Sequence, residues 1–266
     1  MTIFETAVPR FTGDAPVGRN AKLSETVAKR IVDQIFAENL PVGTKLPPER
    51  VMLENLGVSR GTLREALRIL EVHGMLVIKS GPGGGPTVAA MTPSDFNKSC
   101  SLHFKAAGIT VKELWQARVG LEPSLAKSAA THLTPESRLE LEALLTEAKN
   151  TEIDDNSKYV RIGSAFHKAI ASASGDPILT LFARSLGEMT SYLESRNVFP
   201  PSEHPRVHTA HIEIVKAILA EDPVLAERLV TEHMEDMRDT HSERYAGLLN
   251  NVLPYIIDAP SRDYAL

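Results

Sequence analysis

Three histidines that lie far apart in the chain could together bind a divalent metal ion. His167, His211 and His233 each fall within a segment of helical periodicity, and apolar residues flank each of them on the face predicted to point inward. Imidazole nitrogens are common zinc ligands, and three of them leave a fourth coordination position for water or a ligand. A lone inward-facing histidine is more often an ordinary core residue, so a metal-free packed cluster stays open as the alternative.

Other histidines are predicted to lie at the surface or at helix ends. These are His204, His208 and His241. His208 comes three residues before His211, so it would share a helix face with it and is the reserve candidate for a ligand.

A second group of side chains is suited to binding DNA. Residues 46–70 contain two short helical patterns separated by Gly57, and Ser59 is placed to cap the second helix. Arg60, Thr62 and Arg64 fall at the start of that helix, largely off its apolar stripe. Guanidinium groups in this position can bind phosphates or guanine edges. The pattern predicts a helix-turn-helix whose second helix recognises DNA.

The flanking segments predict the rest of a winged helix. Residues 23–38 carry apolar residues four apart and can form a first helix that closes a three-helix core. Residues 75–79 and 86–90 are short strand-like runs, and the glycine-rich segment 80–85 between them is typical of a hairpin tip. A phosphate-binding loop is disfavoured because no Gly-Lys-Ser/Thr and no helix follow.

Residues 23–88 resemble the GntR family of bacterial transcription regulators. The likeness is carried by Leu46-Pro-Pro-Glu-Arg50, Leu56-Gly-Val-Ser-Arg60 and Thr62-Leu-Arg-Glu-Ala-Leu67. The resemblance implies that three arginines contact phosphates and bases, that two hydroxyls fix the helix on the backbone, and that a wing glycine approaches the minor groove. In order along the chain these residues are Arg50, Ser59, Arg60, Thr62, Arg64 and Gly81.

Composition predicts two unequal domains. The chain has 266 residues, 42% of them hydrophobic, which is ordinary for a globular protein larger than one typical domain. The formal net charge is -5, yet residues 19–90 carry ten Lys and Arg against seven Asp and Glu. The positive charge therefore lies on the predicted DNA-binding segment, as binding to phosphates requires.

Several classes of protein are disfavoured by the sequence. Cys100 is the only cysteine, which excludes an intrachain disulfide and suits a cytoplasmic protein. No apolar run approaches the roughly 20 residues of a membrane helix, and the first residues do not form a signal peptide. Residues 1–19 are predicted to be a flexible arm and residues 252–266 a tail.

Residues 93–251 show helical periodicity almost throughout. The breaks are short and either polar or proline-containing, and Thr110 with Glu113 forms a predicted capping box. The fold class is therefore mainly α: a winged helix-turn-helix at residues 20–90 with a small β-hairpin wing, followed by an all-α antiparallel bundle of about seven helices. The interior of such a bundle is a usual place for a ligand site.

The helical half resembles the FCD domain, the ligand-binding domain of the FadR subfamily of GntR regulators. The residues that carry this likeness are Trp115 to Glu122, Ala165-Phe-His167, Ala210-His211 and Thr231-Glu-His233. The resemblance implies that His167, His211 and His233 bind a divalent metal such as zinc and that Arg118 pairs with a carboxylate of an effector. The sequence departs from that pattern at Gly163, where many FCD domains supply an aspartate ligand.

Together these observations predict a ligand-responsive, DNA-binding transcription regulator and not an enzyme. The expected form is a homodimeric repressor that a small carboxylate metabolite releases from a palindromic operator. A metal-free sensor of an acyl-CoA or another organic acid is the alternative. A metal-dependent hydrolase is disfavoured because the chain has no His-Glu-x-x-His motif and no nucleophile elbow.

Overall fold

The computed structural model of the protein describes residues 23–81, 83–151, 156–196, 204–244 and 246–256. The chain divides into two compact units, residues 1–95 and 96–266. The predicted N-terminal arm, residues 1–19, lies outside the described residues, as does the tail beyond residue 256.

The first unit contains three helices followed by a two-stranded hairpin. Helices α1 (Leu23–Ala37), α2 (Glu49–Leu56) and α3 (Arg60–Val72) precede strands β1 (Leu76–Lys79) and β2 (Gly85–Val88). Their apolar faces form one core, in which Leu63 and Ala66 of α3 are completely buried. This core fixes α3 by its inner face and leaves its outer face at the surface.

Two residues, Gly57 and Ser59, determine the turn between α2 and α3. Gly57 takes the left-handed conformation, with φ of 64°, and ends α2. The Ser59 hydroxyl accepts a hydrogen bond from the backbone N–H of Thr62 at 3.2 Å and caps α3.

The hairpin pairs β1 with β2 in antiparallel register, with Leu76 opposite Val88 and Lys79 opposite Gly85. At its tip, Gly81 has a φ of +94°, a backbone conformation that favours glycine. The Lys45 ammonium donates to the carbonyl of Gly83 at 2.7 Å and ties the tip to the segment before α2.

The second unit is mostly helical in the residues that the structure describes. Its helices are α4 (Pro93–Ala106), α5 (Val111–Thr131), α6 (Pro135–Asn150), α7 (Asn156–Ala173), α8 (Pro177–Arg196), α9 (His204–Leu219), α10 (Pro223–Arg244) and α11 (Ala246–Leu249). The predicted fold class, a winged helix-turn-helix followed by a helical bundle, is confirmed. The short α11 is an addition to the seven helices expected.

The helices of this unit enclose one large apolar core, with Phe166, Ile214, Ile218 and Met234 among its most buried members. Helix α5 begins with the predicted capping box, in which Thr110 and Glu113 exchange hydrogen bonds. Helices α7 and α8 are consecutive and packed together, joined by a turn at Ser174, Gly175 and Asp176.

The chain that follows α11 stays packed against the helical bundle. The N–H of Leu253 donates to the Ile109 carbonyl at 2.8 Å, and that of Ile256 donates to the Ser101 hydroxyl at 3.2 Å. Leu253 and Ile256 are both buried. Residues 252–256, which the sequence assigned to the tail, therefore complete the core. Among the described helices, none combines the length and the hydropathy needed to cross a membrane.

Candidate functional site

The three predicted metal-ligating histidines come together inside the second unit. His167 lies on α7, His211 on α9 and His233 on α10, and one potential ligand atom from each lies within 4.8 Å of the other two. The Nε2 atoms of His211 and His233 are 3.1 Å apart. Two nitrogens bound to one zinc ion at about 2.1 Å in tetrahedral geometry would be separated by roughly 3.3 Å. The spacing therefore suits shared coordination as well as a direct hydrogen bond.

Burial keeps two of these imidazoles neutral. Desolvation and then the proximity of His167 lower the pKa of His233 to about 3. Desolvation and then the proximity of His233 lower the pKa of His211 well below its usual range. A neutral imidazole has the free lone pair that a metal ion requires.

Glu122 holds His167 in a defined orientation. Its Oε2 lies 2.5 Å from Nδ1 of His167, and its Oε1 accepts from Nε of Arg118, also at 2.5 Å. Burial alone would raise the pKa of Glu122, but Arg118 and then His167 outweigh it and hold that pKa well below its usual range. A carboxylate on Nδ1 leaves the Nε2 lone pair of His167 available, as is usual for metal-bound histidines.

Arg118 is buried, with only 3% of its surface exposed, yet it lines a cavity next to the histidines. Its guanidinium carbon lies 5.0 Å from the centre of the Trp115 ring, a cation–π contact. Only the Nε–H of Arg118 is hydrogen-bonded to Glu122, so the same arginine forms an intrahelical ion pair and lines the cavity.

Gly163 leaves room beside His211. A Cβ placed on Gly163 would lie 3.4 Å from Cε1 of His211, an ordinary contact distance, and Gly163 also lines the cavity. The position where many FCD domains carry aspartate therefore faces the cluster but supplies no ligand atom here.

The cavity combines a few charged side chains with a wall that is more apolar than polar. The empty space between its walls is about 540 Å³, part of which is open to solvent. Its charged lining beyond the histidines consists of Arg118, Lys168, Arg184 and Glu194. Burial, opposed by Arg118 and reinforced by Glu122, raises the pKa of Glu194 to about 7.

Two predictions about the other histidines need correction. His204, expected at the surface or at a helix end, does begin α9, but it is fully buried and stacks on Tyr159 with ring centres 4.3 Å apart, because the start of α9 is covered by α7. His208, the reserve ligand, has its Nε2 2.9 Å from the Ala148 carbonyl on α6 and so faces away from the cluster.

The predicted DNA-contacting arginines lie on the exposed faces of α2 and α3. Arg60 and Arg64 both place Nε 3.3 Å from Oε1 of Glu49, so one carboxylate holds two guanidinium groups side by side. Arg50 pairs with Glu54 one turn along its own helix. Side-chain exposures of 66–78% leave all three arginines accessible to a duplex.

Ser59 and Thr62 are joined by a hydroxyl hydrogen bond of 2.9 Å at the start of α3, next to Arg60. Gly81 lies at the tip of the hairpin. The first unit thus presents the predicted hydroxyls and arginines at the start of one helix.

Several side chains at these sites were missed by the sequence predictions. Glu49 and Glu122 enter the sequence predictions only as members of the segments Leu46–Arg50 and Trp115–Glu122, with no role of their own. Lys168, Arg184 and Glu194 carry no motif that separates them from surface charges. The one available signal was the four-residue spacing between Arg118 and Glu122, which places both on one helix face.

Comparisons with known proteins agree with this architecture. Residues 23–84 match the model of the bacterial regulatory proteins of the gntR family, and residues 113–236 match the FCD domain. The HTH-type transcriptional repressor NanR of Salmonella newport is 30% identical over 246 residues, covering 88% of this chain and 91% of the relative. NanR of Citrobacter rodentium is 28% identical over 238 residues, covering 88% and 90%.

Among solved structures, a Streptococcus agalactiae GntR protein superposes with a TM-score of 0.62 at 24% identity. The match covers 81% of this chain and 99% of that one, and it supports the fold. The chain belongs to the GntR family of bacterial regulatory proteins and carries an FCD domain. It is accordingly a DNA-binding transcription regulator and not an enzyme.

Proposed function

We propose that this protein is a metal-dependent repressor that a small carboxylate metabolite releases from DNA. The observation that carries the proposal is the convergence of three histidines and Arg118 on one cavity. The NanR relatives are named repressors, which supports repression as the mode of regulation here.

His167, His211 and His233 would hold a divalent ion such as zinc. The fit rests on the donor set: two buried imidazoles with lowered pKa values face each other at 3.1 Å, and the third is oriented by Glu122. When bound, the ion would supply a positive centre that attracts an anionic effector. Because Gly163 contributes no ligand, a coordination position stays open for an effector oxygen.

Arg118 would bind the effector carboxylate together with the ion. Its Nε–H is already satisfied by Glu122, which fixes the guanidinium plane, and its outer N–H groups can donate in pairs to a carboxylate.

The proposed operator contacts are made by Arg50, Ser59, Arg60, Thr62, Arg64 and Gly81. Two copies of the protein would bind a palindromic site as a homodimer, because a single winged helix offers few contacts to phosphates and bases. Effector binding would act through the bundle and residues 89–93 on the spacing of the two recognition helices.

A metal-free sensor of an organic acid is a second candidate. The observation that favours it is the 3.1 Å contact between His211 and His233, which a hydrogen bond between neutral imidazoles also explains. The histidines would then bind the effector directly.

Elemental analysis and thermal-shift screening test the proposal. We expect close to one zinc per chain, lost in His211→Ala and kept in His103→Ala, which removes an exposed histidine of α4. Small carboxylates should raise the melting temperature of the zinc-loaded protein and release it from DNA, with both effects lost in Arg118→Ala. Absence of bound metal together with carboxylate stabilisation would favour the metal-free sensor. Absence of both would refute the proposal.

A further inference from the structure

We propose that the effector carries two anionic groups and that Lys168 and Arg184 bind the second one. This inference rests on the proposed function, in which Arg118 and the histidine cluster bind the first carboxylate. It deepens that function by defining the chemical class of the metabolite as a small dianion.

Both cations lie on the wall of the cavity, near one end of the α7–α8 hairpin. Lys168 directly follows His167 on α7, and Arg184 lies on α8. Lys168 lies six positions before Ser174, where the connecting turn begins, and Arg184 lies eight positions after Asp176, where it ends. Glu194, also on the wall, is ten residues beyond Arg184 on α8 and therefore about 15 Å further from the turn. Lys168 and Arg184 therefore make the part of the wall nearer the turn basic.

Hydrogen bonds at the turn fix how α7 and α8 are placed against each other. Asp176 Oδ1 accepts from the N–H groups of Ile178 and Leu179 at 3.0 and 2.9 Å and caps α8. The Thr180 hydroxyl donates to the Ala171 carbonyl of α7 at 2.6 Å. These bonds set the register of α7 against α8. Lys168 and Arg184 therefore lie on neighbouring turns of the two helices.

Neither cation is neutralised by an ion pair within the described part of the chain. Nε of Arg184 is buried and makes no hydrogen bond to any described group. The closest source of negative charge is Glu188, one turn along α8; burial raises its pKa, and Lys168 and Arg184 oppose that rise. Two half-buried cations and one carboxylate leave a positive surplus, and a buried donor without a partner is stabilised when an anion binds.

The distribution of charge also orients the ligand. Arg118 with the histidines would hold the first carboxylate. The position left for a second anion is next to Lys168 and Arg184. The cavity volume suits compact molecules, such as a short dicarboxylic acid or a phosphorylated hydroxy acid.

Calorimetric titration of the zinc-loaded full-length protein tests this assignment with three matched probes. Lactate is a 2-hydroxy acid with one carboxylate, malate adds a second carboxylate, and 3-phosphoglycerate adds a phosphate ester. We expect malate or 3-phosphoglycerate to bind at least about tenfold more tightly than lactate, the worth of one extra charge-assisted contact. Which of the two binds more tightly identifies the second group.

Substitutions test whether Lys168 and Arg184 cause the preference for dianions over lactate. Lys168→Gln and Arg184→Gln should each reduce the ratio of dianion to lactate affinity towards one while lactate affinity changes by less than about twofold. Arg161→Gln removes a positive charge from the same helix where it pairs with Glu147 outside the cavity, and it should keep the ratio. Melting curves of all variants verify folding.

The outcomes separate the two proposals. Equal affinity for lactate and the dianions, or a preference that survives both substitutions, overturns the second anion site and leaves the proposed function standing. Failure of all three probes to bind, with or without zinc, overturns the carboxylate sensor and this inference together.

Discussion

At the scale of single residues, the site depends on a carboxylate that touches neither the effector nor the metal position. Glu122 accepts from Arg118 with one oxygen and contacts His167 with the other. Arg118 and then His167 keep it ionised although it is buried. One side chain therefore sets the orientation of a proposed metal ligand and of the proposed effector-binding arginine.

Removing the charge of Glu122 should weaken metal binding. We expect Glu122→Gln to lower zinc affinity by about 10- to 100-fold, the usual effect of losing a carboxylate behind a metal-bound histidine. Competition against a chromophoric chelator measures this. Glu232→Gln is the control, because Glu232 lies beside His233 in sequence but is exposed and paired with Arg228. Equal zinc affinities in the wild type and Glu122→Gln would contradict the role given to Glu122.

A substitution at Gly163 should strengthen zinc binding instead of weakening it. Its Cβ position lies 3.4 Å from the His211 ring, so Gly163→Asp places a carboxylate beside the three imidazoles. We expect zinc affinity to rise about tenfold, since an anionic ligand is added, and carboxylate binding to weaken because the open position is filled. Gly163→Asn is the neutral control and should give little gain. A similar gain in both variants would show that the residue acts by packing alone.

At the scale of elements, the relation between α2 and α3 organises the DNA-binding face. Glu49 at the start of α2 lies 3.3 Å from both Arg60 and Arg64 of α3. The capped turn at Gly57 and Ser59 holds the two helices in this arrangement. Glu49 therefore restrains two guanidinium groups that would otherwise move freely, while its negative charge opposes the approach of phosphate.

Substitution of Glu49 should separate affinity from specificity. Glu49→Gln is expected to tighten binding to random-sequence DNA a few-fold and to lower the ratio of operator to random-sequence affinity, because the two arginines lose their common ion-pair partner. Fluorescence anisotropy with an operator selected from random DNA measures both values. Glu71→Gln, which frees Arg68 instead, is the control. An unchanged ratio would remove Glu49 from the recognition surface.

At the scale of the whole molecule, regulation requires the effector to discriminate between DNA-bound and free protein. The bundle contains the proposed effector site, and the winged helix contains the proposed operator contacts. A ligand shifts such an equilibrium only by its differential affinity for the two states, and the coupling free energy is the same in both directions.

Reciprocal coupling gives a direct prediction. An effector that weakens operator binding by a given factor should itself bind more weakly, by the same factor, to the operator-bound protein. Titration of the effector with and without saturating operator measures this, and random-sequence DNA at equal concentration is the control. Identical effector affinity in the two titrations would refute the proposed release mechanism.

The local elements were largely predictable because short-range chemistry specifies them. The left-handed Gly57, the Ser59 cap and the Thr110–Glu113 box occur where the residue types require them. The hairpin lies where the glycine-rich segment predicted it. The predictions were wrong where contacts between residues far apart in sequence determine the structure. Leu253 and Ile256 are buried by segments more than 100 residues away.

The sequence by itself therefore determined the helices, the hairpin, the recognition helix and the inward faces that carry His167, His211 and His233. Periodicity and caps are properties of neighbouring residues, and they suffice for this. Only the tertiary structure brought the three imidazoles within 4.8 Å, turned His204 and His208 away, and placed Lys168 and Arg184 on the same cavity wall. These relations depend on how helices distant in sequence pack and rotate against one another, which no local pattern specifies.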